Sequence, residues 1–276
     1  MTTPPTDQNT PRSLAISEAD SRTARGRADP PASPRRRRLL ASIAGVWGMG
    51  SGLALTGCGG SSTDTASLRF VNGTSDYATA DFWIGSDLVC SGLANGGGTT
   101  GYGSADSGTL QISLHPAGSS TAKLTASHDF ATDSVTTVLA YGSLATSLTF
   151  RYFDESNAAA SSGSFKVRVF QGSPSLGALD VYITNTSSLS GLSPTLSVSA
   201  YAELSSFVTL SSGTYRVRIT SSGDQSAVLF DYTAGLTVSS TTVVTLAVVP
   251  RSSGSLPNIA VLPESASALI MANGLA

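Results

Sequence analysis

The chain repeats itself. Leu68-Arg69-Phe70-Val71-Asn72-Gly73 matches Val167-Arg168-Val169-Phe170-Gln171-Gly172 at an offset of 99 residues, and Asp81-Phe82-Trp83-Ile84 matches Asp180-Val181-Tyr182-Ile183 at the same offset. Tyr102 and Tyr201 keep it. Ser107-Gly108-Thr109-Leu110 then matches Ser212-Gly213-Thr214-Tyr215 at 105, as Thr136-Thr137-Val138 matches Thr241-Thr242-Val243. One six-residue step, read between Tyr102 and Ser107, accounts for the change. A unit that recurs in order confines the chain to two copies of one supersecondary design.

The unit is built of strands. In Thr214-Tyr215-Arg216-Val217-Arg218-Ile219, and again in Lys166-Val167-Arg168-Val169-Phe170, apolar residues alternate with polar ones. Period two marks a strand with one buried and one wet face. Thr242–Val249 is more fully apolar and suits a central strand. Gly, Ser, Asn and Asp clusters separate the runs. The fold class read from this pattern is all-β: two tandem immunoglobulin-like β-sandwiches, about 90–100 residues each. The first copy runs over 67–155, a linker over 156–163 and the second copy over 164–276.

The Val167-Arg168-Val169-Phe170-Gln171-Gly172-Ser173-Pro174 strand, the Asp180-Val181-Tyr182 strand, the Ser212–Arg218 hairpin and the closing Thr241–Val244 strand together resemble the family catalogued as domain of unknown function 4397. The resemblance covers nearly all of the chain beyond residue 58 and is stronger in the second copy. It implies a secreted or lipid-anchored bacterial protein, often with tandem copies, and brings no general activity with it.

What precedes the repeats has another composition. Residues 1–38 hold eight of the 16 basic residues and are rich in Pro, Ser, Thr and Arg, a disordered leader in this reading. Arg35–Arg38 are followed by an uncharged stretch from Leu39 to Gly57, the order of a secretory signal over residues 1–57. Arg36 and Arg37 with Leu39-Leu40 resemble a twin-arginine core, the alternative to general export. Leu55-Thr56-Gly57-Cys58 resembles the bacterial lipobox, which makes Cys58 the lipidation site and the bilayer a partner through its acyl chains. Residues 58–66 then form a flexible tether. Gly59 stands where an Asp would resemble an inner-membrane retention signal. The expected localisation is therefore lipid-anchored, at the outer membrane or cell surface.

Little in the exported part points to chemistry. Its 8 basic and 14 acidic residues argue against nucleic-acid binding. Serine catalysis needs a nearby base, and the chain has two histidines, His115 and His128, without a Gly-x-Ser-x-Gly elbow. With Asp129 and Asp133 they make a weak zinc pattern, so no metal or other cofactor is expected. Cys90 lies in an apolar run and reads as a small buried hydrophobe. Asn95-Gly96-Gly97-Gly98 and Gly101-Tyr102-Gly103 lack the following helix of a phosphate cradle and read as flexible loop. Arg168, Arg216 and Arg218 read as one solvated face, and Tyr77, Tyr102 and Tyr201 as tip or core aromatics.

Asp81 and Asp180 stand out because the repeat holds both before an apolar strand. They are read as structural acceptors of backbone N–H bonds, with a ligand or cation contact as the alternative. The function expected is non-catalytic: a structural, adhesion or partner-binding module of the cell envelope, meeting an envelope or extracellular protein or glycan. The rival is an extracytoplasmic receptor for a small ligand or glycan, which would show a concave apolar pocket.

Overall fold

A computed structural model describes residues 64–275. Cys58, its lipobox Leu55, Thr56 and Gly57, and the signal arginines Arg36 and Arg37 lie outside the described residues.

The described residues form strands and no helix. In the first copy these are β1 (Thr65–Thr74), β2 (Thr79–Ile84), β3 (Asp87–Ala94), β4 (Gly98–Thr99), β5 (Gly103–Asp106), β6 (Gly108–Pro116), β7 (Leu124–Phe130), β8 (Val135–Gly142) and β9 (Thr149–Asp154). In the second they are β10 (Ser164–Gln171), β11 (Leu179–Thr184), β12 (Leu196–Val198), β13 (Val208–Ser211), β14 (Gly213–Ser221), β15 (Val228–Val238), β16 (Val243–Val249), β17 (Asn258–Pro263) and β18 (Leu269–Met271). The named ladders all lie within one copy or the other. The first copy pairs β4-β1-β8-β9, with β5 also on β1, and β3-β2-β6-β7; the second pairs β13-β10-β16-β17-β18 and β12-β11-β14-β15.

Both copies are sandwiches of two sheets. Their strand order is their own: the first strand of each copy pairs in parallel with a late one, β1 with β8 (Ser67 opposite Val135) and β10 with β16 (Lys166 opposite Val243). A parallel pair needs a long crossover, and here the chain makes it through the opposite sheet. Alternate residues fill each interior. Phe70, Phe82, Ile112, Leu114 and Phe130 build the first core, and Phe165, Val167, Leu179, Ile219 and Phe230 the second.

A third apolar cluster joins the two. Val71, Leu139, Tyr141 and Phe153 leave the outer face of β1-β8-β9 and meet Phe170, Ala247, Val249, Ala260 and Leu262 from the outer face of β10-β16-β17. The result is a four-layer stack, with these two sheets back to back in the middle. It explains the uninterrupted burial of β16, whose two faces serve two different cores. Each large side chain buried in this seam contributes about 1.5–3 kcal/mol.

Strand register corrects the internal alignment. Ala80 opposes Leu93 where Leu179 opposes Val198, so the offset is already 105 at the third strand (93 to 198). The six-residue step therefore lies in the β2–β3 connection, not between Tyr102 and Ser107. Leu68 opposes Gly103 and Val167 opposes Val208, which makes Phe207, not Tyr201, the counterpart of Tyr102. Two irregularities in the β14–β15 ladder, opposite Tyr215–Val217 and Ile219–Thr220, carry the offset on to 108 (135 to 243), so Thr137 corresponds to Thr245. Two coincidental tyrosines and a Thr-Thr-Val run hid both shifts.

Candidate functional site

The repeated aspartates sit on the outward faces of the two outer sheets, both buried. Asp81 accepts the backbone N–H of Gly92 at 2.7 Å through one oxygen and that of Gly118 at 2.8 Å through the other. Asp180 accepts the Ser197 hydroxyl at 2.6 Å and the Gly223 N–H at 2.8 Å. Gly118 and Gly223 are equivalent in the repeat and both turn through the left-handed region, at φ +75° and +80°. Each carboxylate thus ties the edge strand to the loop after the central strand. The donors come from neighbouring strands rather than from the aspartate's own turn.

The arginines divide differently from a single shared face. Arg216 and Arg218 lie on the outer face of β14, where Arg216 pairs with Asp231 at 2.5 Å. Arg168 lies in the seam, donating to Thr245 Oγ1 at 2.9 Å with its guanidinium 4.5 Å from the Phe207 ring. Its counterpart Arg69 donates to Thr137 Oγ1 at 2.9 Å and lies 4.6 Å from the Tyr102 ring. Arg69 is fully buried and reaches Glu155 at 2.8 Å, the Ala266 carbonyl at 2.9 Å and the Pro263 carbonyl at 3.2 Å. The Tyr102 and Thr137 hydroxyls also donate to Glu155. Burial holds the Tyr102 phenol well above its ordinary range. This network pins the first copy to the β17–β18 turn of the second. Sequence reasoning missed it; the signal was an arginine inside Leu68-Arg69-Phe70-Val71, a strand apolar on both faces.

The glycine run is part of the seam as well. A Cβ on Gly97 would meet the Ala260 Cβ at 2.8 Å, and one on Gly96 the Asn258 side chain at 2.7 Å. Asn95 accepts the Ser252 N–H at 2.5 Å. The run is glycine so that two backbones can approach, which is a contact surface and not an open tip. The tyrosines are likewise engaged. Tyr201 packs on Tyr141 and donates to the Ser147 carbonyl at 3.2 Å, and Tyr77 packs at the rim of the first core.

His115 and His128 point to opposite faces of their sheet. His128 faces inward and stacks on Tyr152 at 3.7 Å, where burial depresses its pKa. His115 faces outward, stacks on Trp83 at 5.3 Å and bonds Ser113 Oγ at 2.9 Å. They do not converge with Asp129 and Asp133, and no cluster of three metal-ligating side chains forms among the described residues. Cys90 is half-buried against the first core, and burial pushes its thiol up to about 11.

The concavities are open and largely polar. One of about 350 Å³ is lined by Glu155, Asn157, Thr242 and Glu264 beside the seam; another of about 380 Å³ by Asn185, Thr186, Tyr215 and Arg216. The more distinctive feature is an asymmetry between the outer faces. In the second copy, 11 residues from Asn185 to Thr195 connect β11 to β12 and lie across the sheet. Arg218 donates to the Ser187 and Thr186 carbonyls at 2.8 and 2.9 Å, and Gln225 to the Leu192 carbonyl at 2.6 Å. Tyr182 is left 2% exposed beneath them and Arg218 3%. In the first copy a Gly85-Ser86 turn takes β3 straight back along β2. Trp83, the counterpart of Tyr182, is half-buried and stacked on His115 with no strap over it, and Leu88 beside it is 48% exposed.

The model for the family described as Domain of unknown function (DUF4397) matches residues 66–182 and again 166–271. The chain belongs to the DUF4397 family. The two DUF4397 copies correspond to the two sandwiches, and the family description carries no activity. No curated protein matches the chain. Among solved structures, a leucine-rich repeat protein from Bacteroides thetaiotaomicron is similar at 14% identity and a TM-score of 0.18, over 70% of this chain and 27% of that one. The chain thus spans about a quarter of that protein, and a likeness so slight carries no argument about this DUF4397 protein.

Proposed function

We propose that this protein is a lipid-anchored component of the cell envelope whose two sandwiches act as one non-catalytic, partner-binding body. The observation that supports the reading is the first copy's outer face, where no strap lies over half-buried Trp83 and exposed Leu88, set against the covered face of the second. An exposed apolar patch on an otherwise polar sheet is where such proteins meet others. The seam supports it too. It makes the two copies one unit, so that a contact on one is borne by both.

The lipobox ending at Cys58 supplies the anchor. Five residues separate Cys58 from Asp64, a reach of roughly 20 Å, which would hold the body close to the bilayer surface. Two measurements test the proposal in intact cells. Cys58→Ser should abolish incorporation of labelled palmitate and release the protein from membranes. A photo-crosslinker at position 88 should yield a discrete adduct in the wild-type envelope, and one at exposed Thr209 should not. Normal palmitate labelling of Cys58→Ser would overturn the anchor; indistinguishable adducts at both positions would overturn the binding role.

A further inference from the structure

The six-residue difference between the copies decides whether an outer face is covered. In the second copy the inserted length becomes a strap with no charged residue: Asn185-Thr186-Ser187-Ser188-Leu189-Ser190-Gly191-Leu192-Ser193-Pro194-Thr195. Its backbone carbonyls accept from Arg218 and Gln225, and Leu189 is buried to 7% exposure. The sheet beneath has the same central pair in the same register and the same aspartate tie as the first copy. The second copy therefore shows what lies well on this surface: an extended segment that gives carbonyls to the sheet and seats a leucine.

The first copy keeps the surface and lacks the strap. Trp83 replaces Tyr182, Ser113 replaces Arg218 and Gln111 replaces Arg216; Ser113 is buried and bonded to His115, which stacks on the indole, so the exposed donor left on this face is the Gln111 amide. Leu88, directly opposite Trp83 in the β2–β3 ladder, is left in water. We propose that the outer face of β2, β3 and β6 binds, in trans, an extended uncharged polypeptide segment rich in Ser and Thr and carrying a leucine. The exposed Gln111 amide donates to its carbonyls, and the leucine closes over Leu88 and the part of Trp83 that His115 leaves open. This rests on the partner-binding reading above and names the chemistry of the partner.

The test uses a reporter already in place. The chain has two tryptophans, Trp47 and Trp83, so the full chain with Trp47→Phe reports from this face alone. The probe is the synthetic peptide of residues 185–195. It should shift Trp83 emission saturably, and Leu88→Ser, a change at an exposed position, should weaken binding at least fivefold with an unchanged melt. A peptide with both leucines replaced by Asp should bind at least tenfold more weakly. An unchanged emission up to millimolar peptide overturns the proposal, as does an equal response to the Asp-substituted peptide. A response to a neutral oligosaccharide with none to the peptide overturns it in favour of a glycan face. If the peptide fails while the position-88 adduct forms in cells, this inference falls and the binding role stands.

Discussion

The Asp180 carboxylate accepts the Gly223 N–H at 2.8 Å, and Asp81 repeats the bond on Gly118 at the same length. The partners of the second oxygen differ: a hydroxyl, Ser197, for Asp180, but a second backbone N–H, Gly92, for Asp81. A hydroxyl can reverse its role, whereas an N–H cannot.

Asparagine should therefore behave differently at the two sites. Either aspartate replaced by Ala removes two charge-assisted bonds at part-buried positions and costs about 1–3 kcal/mol. Asp180→Asn should recover much of that, with the amide N–H₂ turned to Ser197 Oγ. Asp81→Asn should recover little, because the amide must present a donor to a donor. Chemical unfolding of the four variants measures it; equal recovery at both sites would refute the assignment.

The seam arginines differ in the same way. Arg69→Met leaves Glu155 buried without its cation, at a cost of about 3–5 kcal/mol. Arg168 bonds a threonine, so Arg168→Met should cost about 1 kcal/mol. Urea midpoints at constant m give the comparison.

The fragment 164–276 keeps its own core but uncovers Phe170, Ala247, Val249, Ala260 and Leu262. It should melt cooperatively with β-type circular dichroism and self-associate in sedimentation velocity. Phe170→Asp should return it to monomer. A soluble, molten fragment would mean that the second core depends on the first copy.

His128 supplies a pH dependence. Its pKa is depressed by burial, so the folded state favours the neutral ring. The stability tied to that neutrality is present above the ordinary histidine range of roughly 6.5 and is lost as pH falls through the lower folded value. His128→Phe, which keeps the stack on Tyr152, should flatten that loss. Parallel pH profiles for the two proteins would refute it.

How much of this was legible follows from the kind of information each feature needs. Alternation at 166–170 and 214–219 announced strands because burial on one face leaves a period of two. Asp81 and Asp180 were visible because duplication repeated them. The seam was not, since an apolar strand such as Thr242–Val249 says that both faces are covered and nothing about what covers them. The role of Arg69 was not legible because its acceptors, Glu155 and Ala266, are 86 and 197 residues away. The strap was hidden by a chance pair of tyrosines that kept the old offset well past the insertion.

The seam sets Val71 and its counterpart Phe170, Leu139 and its counterpart Ala247, Tyr141 and its counterpart Val249 into one cluster. The same patch is used from both sides, which makes the junction isologous: a homodimer interface drawn within one polypeptide. Such a contact closes on itself, so pairing stops at two and cannot run on into a filament. The short connection between Asp154 and Ser164 replaces protomer concentration with a local one of millimolar order. Tethering the pair also freed the two sequences to diverge, so that one copy could cover its outer face while the other left it open.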